Sequence, residues 1–222
     1  WTAAEASLNQ ASETFQAAQA TPALAAYTTA AHLFTQAAGL YAEAVTQAER
    51  EVARQAAVQA QGLALAGQQT AHQAQAEKLA EITWSEAARA LSGAQAEFDA
   101  QAYTEAREQF TQSAVLHAKA ATQAEREATR RAAKQSQAAA EEARAKVEAF
   151  GVAQWPSAQA SYADGDQASQ QATPLFADED YAQATVQYSA AILAYTDALT
   201  LAKRARLGAI VKQYVPRLAA VA

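Results

Sequence analysis

The chain contains no cysteine, which excludes a disulfide framework and any thiolate nucleophile or metal ligand. Seven glycines and four prolines among 222 residues are too few to punctuate a loop-rich or multi-stranded fold. No run of about 18 apolar residues occurs, so no transmembrane helix is expected. Histidine is confined to His32, His72 and His117. These lie far apart, and none has a His or Cys at metal-ligand spacing. There is no Gly-rich phosphate loop and no Gly-x-Ser-x-Gly elbow. Basic charge is also short: the net charge is −6 and the pI near 5.1, which argues against a general nucleic-acid binder. Methionine is absent as well, and the chain opens on Trp1 inside a sequence pattern. The expectation is a processed form or an excised part of something longer.

What is present is alanine. It makes up most of the 51% hydrophobic content and buries little area, so each helix contributes a thin apolar stripe. Ala at a seam lets helices approach near the low end of the roughly 8–10 Å interaxial range. Ala, Gln, Glu and Arg are strong helix formers, and nearly the whole chain reads as α-helix.

Aromatic residues recur seven apart in three sets: Tyr27, Phe34 and Tyr41; Tyr103, Phe110 and His117; Tyr181, Tyr188 and Tyr195. A small residue stands three places after each: Ala30, Ala37 and Ala44, then Ala106, Ser113 and Ala120, then Ala184, Ala191 and Ala198. A large residue and Ala alternating on a heptad is a helix-packing pattern. Phe34 to Glu51 matches Phe110 to Glu127 at 13 of 18 positions with an offset of 76, and Tyr181 follows Tyr103 by 78. A period of about 77 residues indicates a duplicated supersecondary unit. Upstream, Trp1, Leu8 and Phe15, then Trp84, Leu91 and Phe98, are again seven apart, and Trp155 and Tyr162 begin a third run. The Trp-to-ladder distances of 26, 19 and 26 residues differ by one heptad, which preserves the helix face.

Each unit therefore reads as a helical hairpin: a Trp-led helix, a turn and a Tyr-led helix of about 35–45 residues, roughly 50–70 Å long. The turns are placed at Gln19-Ala20-Thr21-Pro22 and Gln171-Ala172-Thr173-Pro174, where proline interrupts a helix, and near Asp99 to Ala102. Thr83-Trp84-Ser85-Glu86 has capping-box spacing, Pro156 suits a first helical turn, and Gly62, Gly67 and Gly151 are the expected remaining breaks.

The run Phe176-Ala177-Asp178-Glu179-Asp180-Tyr181-Ala182-Gln183-Ala184, continued by Tyr188 and Ala191, resembles the second helix of a tetratricopeptide repeat. Tyr103, Ala106 and Phe110 fit the same frame. The likeness covers about 15 residues per copy, and that family's roughly 34-residue period is absent. It implies a helical-hairpin repeat used for protein contacts. The Ala-rich Trp/Tyr hairpins also look like accessory segments of large bacterial surface or signalling proteins, which implies an extracytoplasmic bacterial setting.

Candidate chemistry is sparse. His117 stands in a slot that Tyr41 and Tyr195 fill elsewhere and reads as a substitute core ring. The carboxylates of Asp164-Gly165-Asp166 and Asp178-Glu179-Asp180 lack the spacing of a Ca²⁺ loop and read as helix caps. Glu141 and Glu142 beside Arg144 and Lys146 read as solvated ion pairs. The ladder itself has two readings: rings filling a seam between helices, or an aromatic groove for a peptide or sugar. Residues 197–222 carry Lys203, Arg204, Arg206, Lys212 and Arg217 against only Asp197, a basic patch or a solvated face with cations near a helix C-terminus.

The expectation is an all-α chain of about six helices, built as three elongated antiparallel hairpins over 1–76, 77–152 and 153–222, forming one continuous bundle or short solenoid. The expected function is a non-enzymatic spacer or protein-interaction scaffold, with a ligand- or peptide-binding groove as the alternative and a membrane-active helical protein behind both. No catalytic residue, cofactor or metal is expected. A protein partner or self-association is expected, nucleic acid and small ligands are not, and the candidate interaction residues are Tyr103, Tyr181, Tyr188, Tyr195, Lys203, Arg204 and Arg206.

Overall fold

The computed structural model describes residues 1–20 and 24–219, with side chains described as far as residue 214 at the C-terminal end. The protein is all-α. The helices are α1 (Thr2–Ala20), α2 (Leu24–Gln73), α3 (Ala76–Leu79), α4 (Glu81–Asp99), α5 (Tyr103–Ala149), α6 (Pro156–Ala177) and α7 (Tyr181–Ala219), with a 3-10 turn at Val152–Gln154. The four-residue α3 is the addition to the expected six. No strand occurs among the described residues. Helices α2 and α5 run for 50 and 47 residues, about 75 and 70 Å at 1.5 Å per residue. Uninterrupted helix formers sustain them, and charged side chains one turn apart, such as Glu51 with Arg54 and Glu127 with Arg131, add small increments on their outer faces.

Ring contacts fix how the helices pair. Trp1 meets Tyr41 and Phe15 meets Tyr27 and Phe34, so α1 runs antiparallel to the first half of α2. Trp84 against His117 and Phe98 against Tyr103 and Phe110 make α4 and the first half of α5 antiparallel. Tyr162 against Tyr195 and Phe176 against Tyr181 do the same for α6 and α7.

Two turns close with one device. Gln101 and Glu179 adopt φ of 65° and 64°. The Ala102 N–H then donates to the Glu97 carbonyl and the Asp180 N–H to the Leu175 carbonyl, both at 2.9 Å, the six-to-one bond of a Schellman ending. The Asp180 carboxylate accepts from the Gln183 N–H at 3.1 Å and caps α7. This corrects the placement of a turn at Gln171-Ala172-Thr173-Pro174: α6 continues through Pro174 to Ala177. Proline there forgoes one hydrogen bond, while its own carbonyl still accepts the Asp178 N–H at 2.8 Å. The corresponding Thr21 and Pro22 lie outside the described residues.

Helix α4 starts at Glu81, so Thr83 lies inside it rather than at its cap. Glu81 instead supplies the acidic charge that favours a helix N-terminus. Trp155 and Pro156 do open α6. Gly151, with φ of 76°, is a break, but Gly62 and Gly67 lie within α2. At Gly67 an added Cβ would stand 3.4 Å from the Ala114 carbonyl oxygen and from His117 Cβ, so this glycine serves close helix approach rather than chain interruption. The break after α2 is at Gln75, φ 59°.

The chain packs as two compact units, Trp1–Glu77 with Glu81–Ala121, and Lys78–Ala80 with Thr122–Ala222. The division falls inside α5. In the first unit, Ala57, Ala60 and Ala64 on the second half of α2 pack with Ala94, Ala106 and Phe110. In the second, Ala133, Ala140 and Val147 on the second half of α5 pack with α6 and α7. In both units the heptad alanines form the seam and a few large rings fill it.

Candidate functional site

The ladder residues divide by burial. Tyr181, Tyr188 and Tyr195 on α7 and Phe110 on α5 are buried. These rings fill seams between helices, and Tyr181 also edges a surface cleft with Gln123, Arg126, Glu127 and Arg130. Tyr103 is half-buried at the start of α5 against Phe98. Lys203, Arg204 and Arg206 are exposed on α7, with the Arg206 guanidinium 5.5 Å above the Phe150 ring, a cation–π contact. Arg217 is in α7, outside the described side chains.

One Ser–His pair occurs among the described residues, on α5. Ser113 Oγ lies 3.2 Å from His117 Nδ1, within the reach of a nucleophile and its base. The surroundings oppose that chemistry. Both side chains are fully buried. Ser113 Oγ donates to the Ala87 carbonyl at 3.0 Å, which joins α5 to α4. His117 Nδ1 stands 3.0 Å from the Ser113 carbonyl, which can only accept, so the Nδ1 proton points there and Nε2 is left as the acceptor. Nε2 is buried with no hydrogen-bond partner, and the His117 and Trp84 ring centroids lie 5.2 Å apart, edge to face. Burial holds the imidazole below its ordinary pKa, partly offset by the Ser113 carbonyl. His117 is a neutral packing ring.

A denser polar cluster links α5, α6 and α7. Tyr195 donates to Asp166 at 2.7 Å, and Tyr162 donates to Glu148 at 2.6 Å. Arg144 Nε stands 3.1 Å from Glu148 and 3.3 Å from Asp166, and donates to the Tyr162 hydroxyl at 3.3 Å. Burial, together with Asp166, pushes the Tyr195 phenol up to about 12, against the pull of Ser169. Every charge here has an opposite within reach, so the group is a tie between helices with no free acid or base. Sequence spacing missed it because its members lie on three helices. The available signal was Tyr rather than Leu in the ladder, since a buried hydroxyl requires a partner.

Asp164 and Asp166 lie inside α6 rather than at a helix cap, and three carboxylates of the two acidic clusters have partners. Asp166 serves Tyr195 and Arg144, Glu179 pairs with Arg126 and Asp180 caps α7. Among the described residues no group of three metal-ligating side chains comes together, and no helix is long and apolar enough to cross a membrane.

Exposed large apolar side chains occur along the whole length described, Leu24, Leu63, Ile82, Val115 and Leu193 among them. On the first hairpin Trp1 is 66% exposed and Phe34 37%, whereas Phe110, seventy-six residues on, is at 0%. Near the end of α7, Leu207, Ile210, Val211 and Tyr214 are all exposed. They follow one another at i, i+3, i+4 and i+7, a single helical stripe. No protein-family model matches this chain, and neither a curated protein nor a solved structure is found similar to it.

Proposed function

We propose that the chain is a non-enzymatic helical spacer and protein-interaction module, built on a tetratricopeptide-like hairpin repeat and working within a larger assembly. The observation that carries this reading is length combined with inert polar chemistry. Helix α2 alone, at 50 residues, reaches about 75 Å. A compact globule of 222 residues would have a radius of gyration near 17 Å. The polar side chains that come together are tied to one another, while apolar side chains stand exposed on the first hairpin and on α7. Rods that set distance and surfaces that accept partners are the properties of a scaffold. The groove alternative draws little support from Tyr188 and Tyr195, which are 4% and 0% exposed.

Small-angle scattering on the dilute monomer tests the spacer reading. The expected maximum dimension is at least the ~75 Å of α2. A radius of gyration near the ~17 Å of a compact globule would overturn it.

A further inference from the structure

We propose that the cleft between Arg50 on α2 and Tyr103 at the start of α5 receives a side-chain carboxylate from an acidic segment of a partner protein. The inference rests on the interaction-module reading and names the chemistry of the partner.

The cleft is built twice from one sequence. Gln47, Arg50, Glu51 and Arg54 line it with Tyr103 in the first unit. Gln123, Arg126, Glu127 and Arg130 line its counterpart with Tyr181 in the second. The helix residues correspond at an offset of 76 and the tyrosines at 78. Register accounts for the arginine. Arg50 precedes Ala57 and Ala64 by seven and fourteen residues, as Arg126 precedes Ala133 and Ala140. Those alanines are buried in the two seams. Each arginine therefore continues the packed face of its helix to the point where the seam opens, beside the start of the Tyr-led helix.

The two clefts differ in what meets the arginine. Arg126 pairs with Glu179, the residue of left-handed φ in the turn before α7. The residue with that φ before α5 is Gln101, whose amide carries no charge. The whole acidic turn Asp178-Glu179-Asp180 corresponds to Ala100-Gln101-Ala102. Arg50 is exposed and has no ion pair or hydrogen bond among the described residues. The carboxylate beside it, Glu51, is taken by Arg54 at 2.8 Å. A guanidinium left with its donors free favours a carboxylate, which accepts two of them at once. Glu179 shows the form that carboxylate takes in the second cleft: a glutamate carried on an acidic turn. Glu179 itself is engaged with Arg126, so the group for Arg50 comes from another protein.

The test follows arginine side-chain Nε–H signals of the full chain by NMR. The probe is a capped peptide with the sequence of residues 176–182, Phe-Ala-Asp-Glu-Asp-Tyr-Ala. Its control carries Asn-Gln-Asn in place of the three acids. The acidic peptide should shift the Arg50 signal saturably, with a dissociation constant on the order of 1 mM, and added salt should weaken binding. The Arg126 signal should not respond. Two substitutions exchange the states of the clefts. Gln101→Glu gives the first cleft a carboxylate of its own and should weaken binding at Arg50 about tenfold. Glu179→Gln should make Arg126 respond as Arg50 does. The two residues have φ of 65° and 64°, so each replacement suits its turn. Three results would overturn the proposal: an Arg50 signal that ignores the peptide, an equal response to the amide control or to inorganic phosphate, or substitutions that change neither response. An unresponsive Arg50 leaves the spacer reading to be judged by scattering, so the two failures are distinguishable.

Discussion

Phe34 and Phe110 are the same residue in corresponding heptad slots, and both belong to the first compact unit, so truncating each to alanine isolates what a third helix contributes. Phe110 is at 0% exposure, enclosed by Ala57, Ala60, Ala64, Ala94 and Ala106. Phe98, Leu91 and Tyr103 pack at the edge of this cluster. Phe110→Ala should cost about 3–5 kcal/mol. Phe34 is 37% exposed, which scales a full burial of up to about 3 kcal/mol down to roughly 2. The hole it leaves opens to water, so the cavity contribution is small, and Phe34→Ala should cost about 1–2 kcal/mol. Urea denaturation followed by far-UV ellipticity measures both, in dilute protein and moderate salt so that association does not enter. Equal costs at the two positions, or a Phe110→Ala cost under about 1 kcal/mol, would refute the claim that the second half of α2 covers Phe110.

Gly165→Ala should destabilise the second unit by about 1–3 kcal/mol, because the new Cβ would stand 2.5 Å from Tyr195 Cε1 on a ring held by Asp166; a neutral result in the same denaturation assay would mean that the ring moves freely. Tyr195→Phe removes the 2.7 Å hydrogen bond to Asp166 and should cost about 1–2 kcal/mol, with Arg144 left as partner to the carboxylate. His117 supplies a pH signature: its folded pKa is lowered by burial, so the unfolded chain takes up the proton first and stability falls as pH drops below about 6.5. Melting temperature measured against pH should decline over that range in wild type and flatten in His117→Phe; identical slopes would show that His117 is not the group responsible.

The heptads located the large seam residues because a packed helix face needs the same side-chain direction every two turns. Tyr188, Tyr195, Phe110 and His117 are all buried on that account. The same pattern does not say how many helices surround a slot. Tyr27 and Phe34 have the spacing of Tyr103 and Phe110 yet are 37% exposed, because burial depends on a third helix that contributes small residues, Ala57, Ala60 and Ala64, with little signal of their own. Turns were less legible than seams. Gln101 and Glu179 take left-handed φ without being glycine, and their turns close through backbone bonds that any residue can make. Pro174 drew the turn to itself although one missing N–H near a helix end is tolerated. The Arg144, Asp166 and Tyr195 cluster was hidden because spacing within one helix cannot show which residues meet across three.

Alanine seams also bear on which rings are enclosed. A seam of methyl groups buries little area per residue, so two such helices alone hold few large side chains away from water. Where a third helix is present, Phe110 and Tyr195 are fully enclosed; where it is absent, Trp1 and Phe34 are not. Helices α2 and α5 are thus each a member of their own pair and the cover for the hairpin that follows.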